Sequence, residues 1–254
     1  MNTPSHSADI PKRRRSAAFT LTETVIAIGV LAVMLTGFIA VFTPAAQGIR
    51  RSISSEQADR LTTTLENELA TLRANSESPA PAPAFATSFD KAFKWIQEGN
   101  KPTNAIPIFV YQYRGDPTKP FRNDGTPTPK TAITGEPGKD YIVQSMARRL
   151  TDAELANDLT AIEGSVFFVK PTQLVFEAGQ LVLSKTPATI KNADGTNAEN
   201  TQALPYKEAM IAFSAEFHSV PTKSIAYLKS TTFTTRFSST TNKPIFTRNL
   251  AIRR

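Results

Sequence analysis

Glu23 is the side chain whose surroundings alone suggest chemistry. It stands at the mouth of residues 24–49, a stretch with no charged residue. A carboxylate beside hydrocarbon is costly unless it is paired or held at a polar interface. At the first turn of a helix a negative charge is favoured, and a cation placed against it adds a charge-assisted bond. That is charge pairing, not proton transfer. The rest of the inventory is thin. The 254 residues include no cysteine, which excludes disulfides, thiolate metal sites, iron–sulfur clusters and a cysteine nucleophile. Only His6 and His218 could supply imidazole, so a histidine-rich metal site is excluded as well. No serine motif or spaced acidic partner accompanies His218, and a strand-end or core position is expected for it. Gly115, Gly125, Gly135 and Gly138 fall in proline-rich turns, not in phosphate-cradling loops. Asp194, Asn197 and Glu199 could offer oxygen ligands to calcium, but the calcium-loop pattern is missing and Asp-Gly-Thr is ordinary turn chemistry. No catalytic residue, cofactor or metal is expected.

The element that must position Glu23 is the run that follows it. Residues 25–42 are apolar except for Gly29, Thr36 and Gly37. As a helix they span roughly 27 Å, close to the hydrocarbon thickness of a bilayer, and membrane insertion is expected. Lys12, Arg13, Arg14 and Arg15 precede the run, and Arg50 and Arg51 follow it. Four basic residues outweigh two, so the positive-inside rule places the N-terminus in the cytoplasm and everything beyond Arg50 outside. An oxidising outer compartment permits disulfides without requiring them.

The stretch Ala18-Phe19-Thr20-Leu21-Thr22-Glu23, behind a short basic leader and ahead of an apolar helix, resembles the prepilin motif of type IV pilins and type II secretion pseudopilins. The resemblance implies cleavage between Ala18 and Phe19 by a membrane prepilin peptidase, followed by N-methylation of Phe19. It also implies an assembly role for Glu23. The family usually has Gly before the cut and an aliphatic residue after the Leu; here Ala18 and Thr22 stand in those places. The implied partners are the peptidase, other pilin or pseudopilin subunits, the inner membrane, and a secretin with its assembly ATPase. The implied location is the inner membrane, with a periplasmic or cell-surface filament after assembly. Independently of the family, a new amine on Phe19 and the carboxylate of a neighbouring Glu23 would lose less by leaving water together than apart. An anchored extracytoplasmic binding module or enzyme outside any filament is the alternative. Beyond the N-terminal segment no named pattern appears.

Four segments follow: a leader (1–18), a transmembrane and amphipathic helix (19–75), a Pro/Ala linker (76–86) and an extracytoplasmic α+β domain (87–254). Pro44 is expected to kink or locally melt the long helix. From about residue 49 to 74, Leu61, Leu65, Leu69 and Leu72 recur at helical spacing and form one apolar stripe that would hold a body against the stalk. Residues 87–98 open on a capping box, Thr87 with Asp90, and bury Phe89, Phe93, Ile96 and Trp95. Strands are expected at residues 105–114 (Pro107 marking an edge or a start), 140–146, 165–170, 173–184 with a turn at 177–180, 208–219, 223–238 and 244–253. Residues 115–139 read as loop and 192–200 as a polar turn. A second capping box, Thr151 with Glu154, would start a helix reaching about residue 162. The expected fold class is therefore α+β: a long N-terminal helix, then an antiparallel-sheet domain of pilin-like form.

The formal charge of +7 invites nucleic acid as a partner, but three of those charges belong to the leader. The remaining cations, among them Lys91, Lys94, Arg148, Arg149, Arg248, Arg253 and Arg254, are scattered and read as a solvated surface. A DNA-binding minor pilin is the narrower alternative; no nucleic-acid partner is assigned.

Overall fold

The structure, a computed structural model, describes residues 20–73, 85–198 and 205–254. The leader, Ala18, Phe19, residues 76–84 of the linker and Glu199 lie outside the described residues. The chain divides into two units, residues 1–50 and 51–254.

Helix α1 (Leu21–Ala70) runs through both. Within the first unit every described side chain from Leu21 to Phe42 is exposed. Pro44 sits inside the helix without interrupting it, and its missing N–H leaves the carbonyl four residues back without the usual donor.

Within the second unit, Ala58, Leu61, Leu65 and Leu69 of α1 are buried, each leucine worth roughly 2 kcal/mol in removed apolar surface. Leu72 departs from the expected stripe: it lies beyond the last helical residue and is 38% exposed. The helix stops because Lys91 takes its terminal carbonyls, with Nζ donating to Glu68 O at 2.6 Å and to Thr71 O at 2.8 Å. Helix α2 (Ser88–Gly99) begins as read, with Thr87 Oγ1 accepting from Asp90 N at 3.1 Å and Phe89, Phe93, Trp95 and Ile96 buried.

The sheet contains β1 (Ile108–Gly115), β2 (Ile142–Arg149), β3 (Ile162–Glu177), β4 (Gln180–Leu183), β7 (Met210–Ser219) and β8 (Phe246–Arg253). Its order is β2-β1-β3-β7-β8, all antiparallel, with β4 added to the far half of β3. Pro107 precedes β1, a strand start as expected, although β1 itself is internal. A bulge gives β3 extra residues opposite Tyr111, and Gly164 supplies the positive φ it requires. A separate two-stranded pair, β5 (Ile190–Lys191) and β6 (Asn197–Ala198), frames the polar turn.

Two expectations fail here. Residues 165–170 and 173–184 are not separate strands: β3 runs straight through Pro171. Val220 N donates to Val166 O, so even-numbered residues of β3 hydrogen-bond to β7 and odd-numbered ones face the other way. Pro171 thus turns its absent N–H toward β1, two residues past the last pairing of β1 with Val169. The proline sits where no donor is needed. Residues 223–238 are not a strand either. They form α4 (Ile225–Leu228) and α5 (Thr231–Ser238), because Ser230 Oγ caps Phe233 N at 3.2 Å and Leu228, Phe233 and Phe237 bury together against the sheet. Packing overrides the β preference of the threonines.

One face of the sheet packs α1 and α2 over Ile108, Val110, Phe167, Val169, Phe213 and Phe217. The other face packs α3 (Leu155–Asp158), α4 and α5 over Phe109, Tyr111, Met146 and Phe168. The expected Thr151 helix shrinks to α3 and one 3-10 turn. Asp152, not Thr151, accepts from Glu154 N at 2.9 Å, and Glu154 is drawn away by Arg122.

Candidate functional site

Two places concentrate polar chemistry against apolar surroundings. The first is the start of α1. Thr20 caps the helix, its Oγ1 accepting from Glu23 N at 3.2 Å, and Glu23 occupies the first turn with its carboxylate exposed. The hydroxyls of Thr24 and Thr36 donate back to the carbonyls of Thr20 and Ala32. Neither of these two hydroxyls is therefore left unsatisfied toward an apolar medium. Gly29 and Gly37 have no neighbour within 4 Å of where a Cβ would stand, so nothing within the chain accounts for their small size. By length and composition α1 can cross a membrane once.

The second place is buried. Arg148, read from sequence as a solvated cation, is 0% exposed. It lies on β2 beside Met146, on the face that meets α3. Its Nε bonds Asp158 Oδ2 at 2.6 Å, its Nη1 Asp152 Oδ2 at 2.9 Å and its Nη2 Asp124 Oδ2 at 2.6 Å. Tyr111 OH donates to Asp158 Oδ2 at 2.7 Å. Arg122 adds a second layer, reaching Asp158 Oδ1 at 2.7 Å, Glu154 at 2.8 Å and the Tyr113 hydroxyl at 3.0 Å. Burial opposes ionisation of Asp124, but Arg148 and the Thr126 hydrogen bonds outweigh it and hold the carboxyl below its usual range. At Asp152 burial wins over Arg148, and the carboxyl is raised. Burial and then the Asp158 charge push the Tyr111 hydroxyl well up. Each carboxylate is committed to a guanidinium. The network ties the loop after β1 to β2 and α3; its geometry offers anchorage and no free nucleophile.

Lys91 and Arg149 also leave the expected solvated surface: Lys91 pairs with Glu68 at 2.6 Å and Arg149 with Glu98, both cations buried. Lys94, Arg248, Arg253 and Arg254 keep it. The surface reading missed these buried cations because charge was taken from composition. The usable signal was period two: Arg148 is in phase with Met146, and Arg149 with Ala147.

His218 is buried, stacked on Phe168 with centroids 4.8 Å apart, its Nε2 3.6 Å from Glu216. It is a core residue of β7. Asp194 closes a turn, accepting from Thr196 N at 2.9 Å and pairing with Lys207 at 2.8 Å. Among the described residues no group of three or more His, Cys, Asp or Glu is arranged to hold a metal ion. Comparison with protein-family models, curated proteins and solved structures finds no match to this chain.

Proposed function

We propose that the chain is a structural subunit, a pilin, minor pilin or pseudopilin, of a type IV pilus-like or type II secretion filament, assembled through its N-terminal helix. The observation that carries this reading is the first unit. A charge-free apolar helix segment, exposed from Thr24 to Phe42, begins one residue after its single carboxylate, Glu23. A plain anchor needs the apolar run but has no use for a carboxylate at that place. A subunit processed between Ala18 and Phe19 does: the methylated amine of Phe19 would find its counter-charge on the Glu23 of a neighbour, fixing the stagger between helices. In this reading the prepilin peptidase, fellow subunits and the inner membrane are the partners, and the second unit lies outside the cytoplasmic membrane.

Intact-mass measurement of the native membrane protein tests the processing. The expected species lacks residues 1–18 and carries one added methyl; a full-length, unmethylated chain refutes it. Glu23→Ala tests the assembly role separately. Filament incorporation is expected to fall sharply while membrane insertion and the folded body are unchanged. Equal incorporation of the variant would leave the anchored binding module as the better reading.

A further inference from the structure

The link from β7 to β8, residues 220–245, differs in charge from the rest of the body. All 22 acidic residues of the chain lie at or before Glu216. The link therefore holds four cations, Lys223, Lys229, Arg236 and Lys243, and no anion. All four are exposed, and none pairs with a carboxylate among the described residues. Elsewhere, exposed cations such as Arg60, Lys139, Lys185 and Lys207 each sit within 4.0 Å of one.

The same link is dense in hydroxyls. Helix α5 is half threonine, a weak helix former, and it stands because Ser230 caps it and Phe233 and Phe237 bury beneath it. Those two rings share one side of the helix, which turns Thr231, Thr232, Thr235 and Ser238 outward, all of them exposed. A solvated helix face is ordinarily built of charged side chains. Here it is a row of short hydroxyls. Thr234 Oγ1 donates to Ser230 O at 3.2 Å, but the hydroxyls of Thr231, Thr232 and Thr235 have no partner among the described residues. With Arg236, Ser239 and Asn242 these three line a shallow hollow of about 540 Å³. Arg236 commits one donor, Nη2 to Ser219 O at 3.3 Å, and keeps the rest of its fork unused.

The donor set says what fits. A hydroxyl both donates and accepts, whereas a phosphodiester backbone only accepts and is gripped by cations on the contacted face. The aromatic residues of the link, Tyr227, Phe233 and Phe237, pack on one another, so none of these rings is free to stack a base. A sugar ring donates and accepts as the threonines do, and a carboxylate on it matches the planar fork of Arg236.

We propose that the β7–β8 link is a docking surface for an acidic polysaccharide. Ring hydroxyls meet Thr231, Thr232 and Thr235, a carboxylate meets Arg236, and Lys223, Lys229 and Lys243 add unopposed positive charge. The inference goes beyond the assembly role of α1 and holds whether or not the chain enters a filament.

Titration of the full chain in detergent with a galacturonic acid hexamer tests it, at about 20 mM and about 150 mM salt. A Kd of about 1 mM or tighter is expected at the lower salt, weakening severalfold at the higher. Thr235→Val keeps the shape and should weaken binding about fivefold; Arg236→Gln should weaken it at least about tenfold. Both side chains are exposed, so the urea midpoint read at Trp95 should not move. Lys185→Gln removes the same charge outside the link and should leave the Kd unchanged; an equal loss there would refute a local site. No binding up to about 10 mM overturns the proposal. Equal binding of hexaglutamate overturns it by making the surface a bare cation patch, and equal binding of a neutral galactose hexamer removes the role of the acid groups. A thymidine hexanucleotide that binds as tightly as the acidic sugar overturns it in favour of nucleic acid.

Discussion

Replacing Arg148 by Met removes one guanidinium from a site that no water reaches and keeps most of its volume. Three aspartates, Asp124, Asp152 and Asp158, then lose a bonded cation at 2.6–2.9 Å. Breaking a buried ion pair from one side leaves uncompensated charge and costs about 3–5 kcal/mol. Arg122 still reaches Asp158, which sets the expectation near the lower end, about 3 kcal/mol. With a urea slope of about 2 kcal/mol per M, the midpoint should fall by roughly 1.5 M. The single tryptophan, Trp95, is buried in the body and gives the signal. The pH dependence is the sharper part. In the wild type Asp124 is held low, so its contribution is present above the unfolded value near ~3.9 and is lost as pH falls through the lower folded value. Asp152 works in the opposite sense, because its raised carboxyl binds a proton more readily when folded, and stability drops as pH rises through that value. Without Arg148, Asp124 loses the cation that holds it low and should behave like Asp152. The variant should gain stability on acidification from pH 7.5 to about 5 while the wild type changes little, so the gap between them narrows. A gap that is absent, or the same at both pH values, would refute the account of this network as buried charges held by Arg148.

Other substitutions probe separate joints. Lys91→Met strips the cap from the end of α1 and leaves Glu68 with its Arg73 partner at 2.7 Å; a loss near the lower end of the buried-pair range, about 3 kcal/mol, is expected in the same urea assay, and a loss under about 1 kcal/mol would contradict it. Gly99→Ala places a Cβ 2.6 Å from Pro171 Cγ, so α2 must shift off β3, with an expected cost of about 1–3 kcal/mol and a lowered thermal midpoint. Ser230→Ala removes the cap of α5 and should cost about 1 kcal/mol, seen as faster amide exchange in residues 231–238 with α2 unaffected.

Local signals carried most of the fold. The apolar run, the Thr87 cap, β1, β7 and β8 were legible because each rests on its own period or its own cap. What failed was set by distant neighbours. Residues 223–238 hold threonines at strand-like density, and only the apolar pocket over Phe168 makes a helix the better packing for Phe233 and Phe237. Pro171 looks like a strand breaker until β1 is known to end beside it. Arg148 and Lys91 were legible as cations but not as buried ones, since their carboxylate partners lie 10–24 and 23 residues away in sequence. Arg148 to Asp152 is the exception, a separation of four that a helix or a tight turn would also have offered. For Glu23 the sequence supplied the anomaly and the structure its local setting: a capped first turn with the carboxylate exposed.

The stretch of α1 from residue 51 onward has a mechanical consequence. Three leucines bury along its length, and Lys91 grips the carbonyls at its far end. A pull applied to the body at residue 51 along the helix axis cannot lift these contacts one at a time. It must slide Leu61, Leu65 and Leu69 across the sheet together while tearing an ammonium from Glu68 and two carbonyls. Load is shared in shear instead of concentrated at a peeling front, so the body would hold against tension better than its equilibrium stability alone implies.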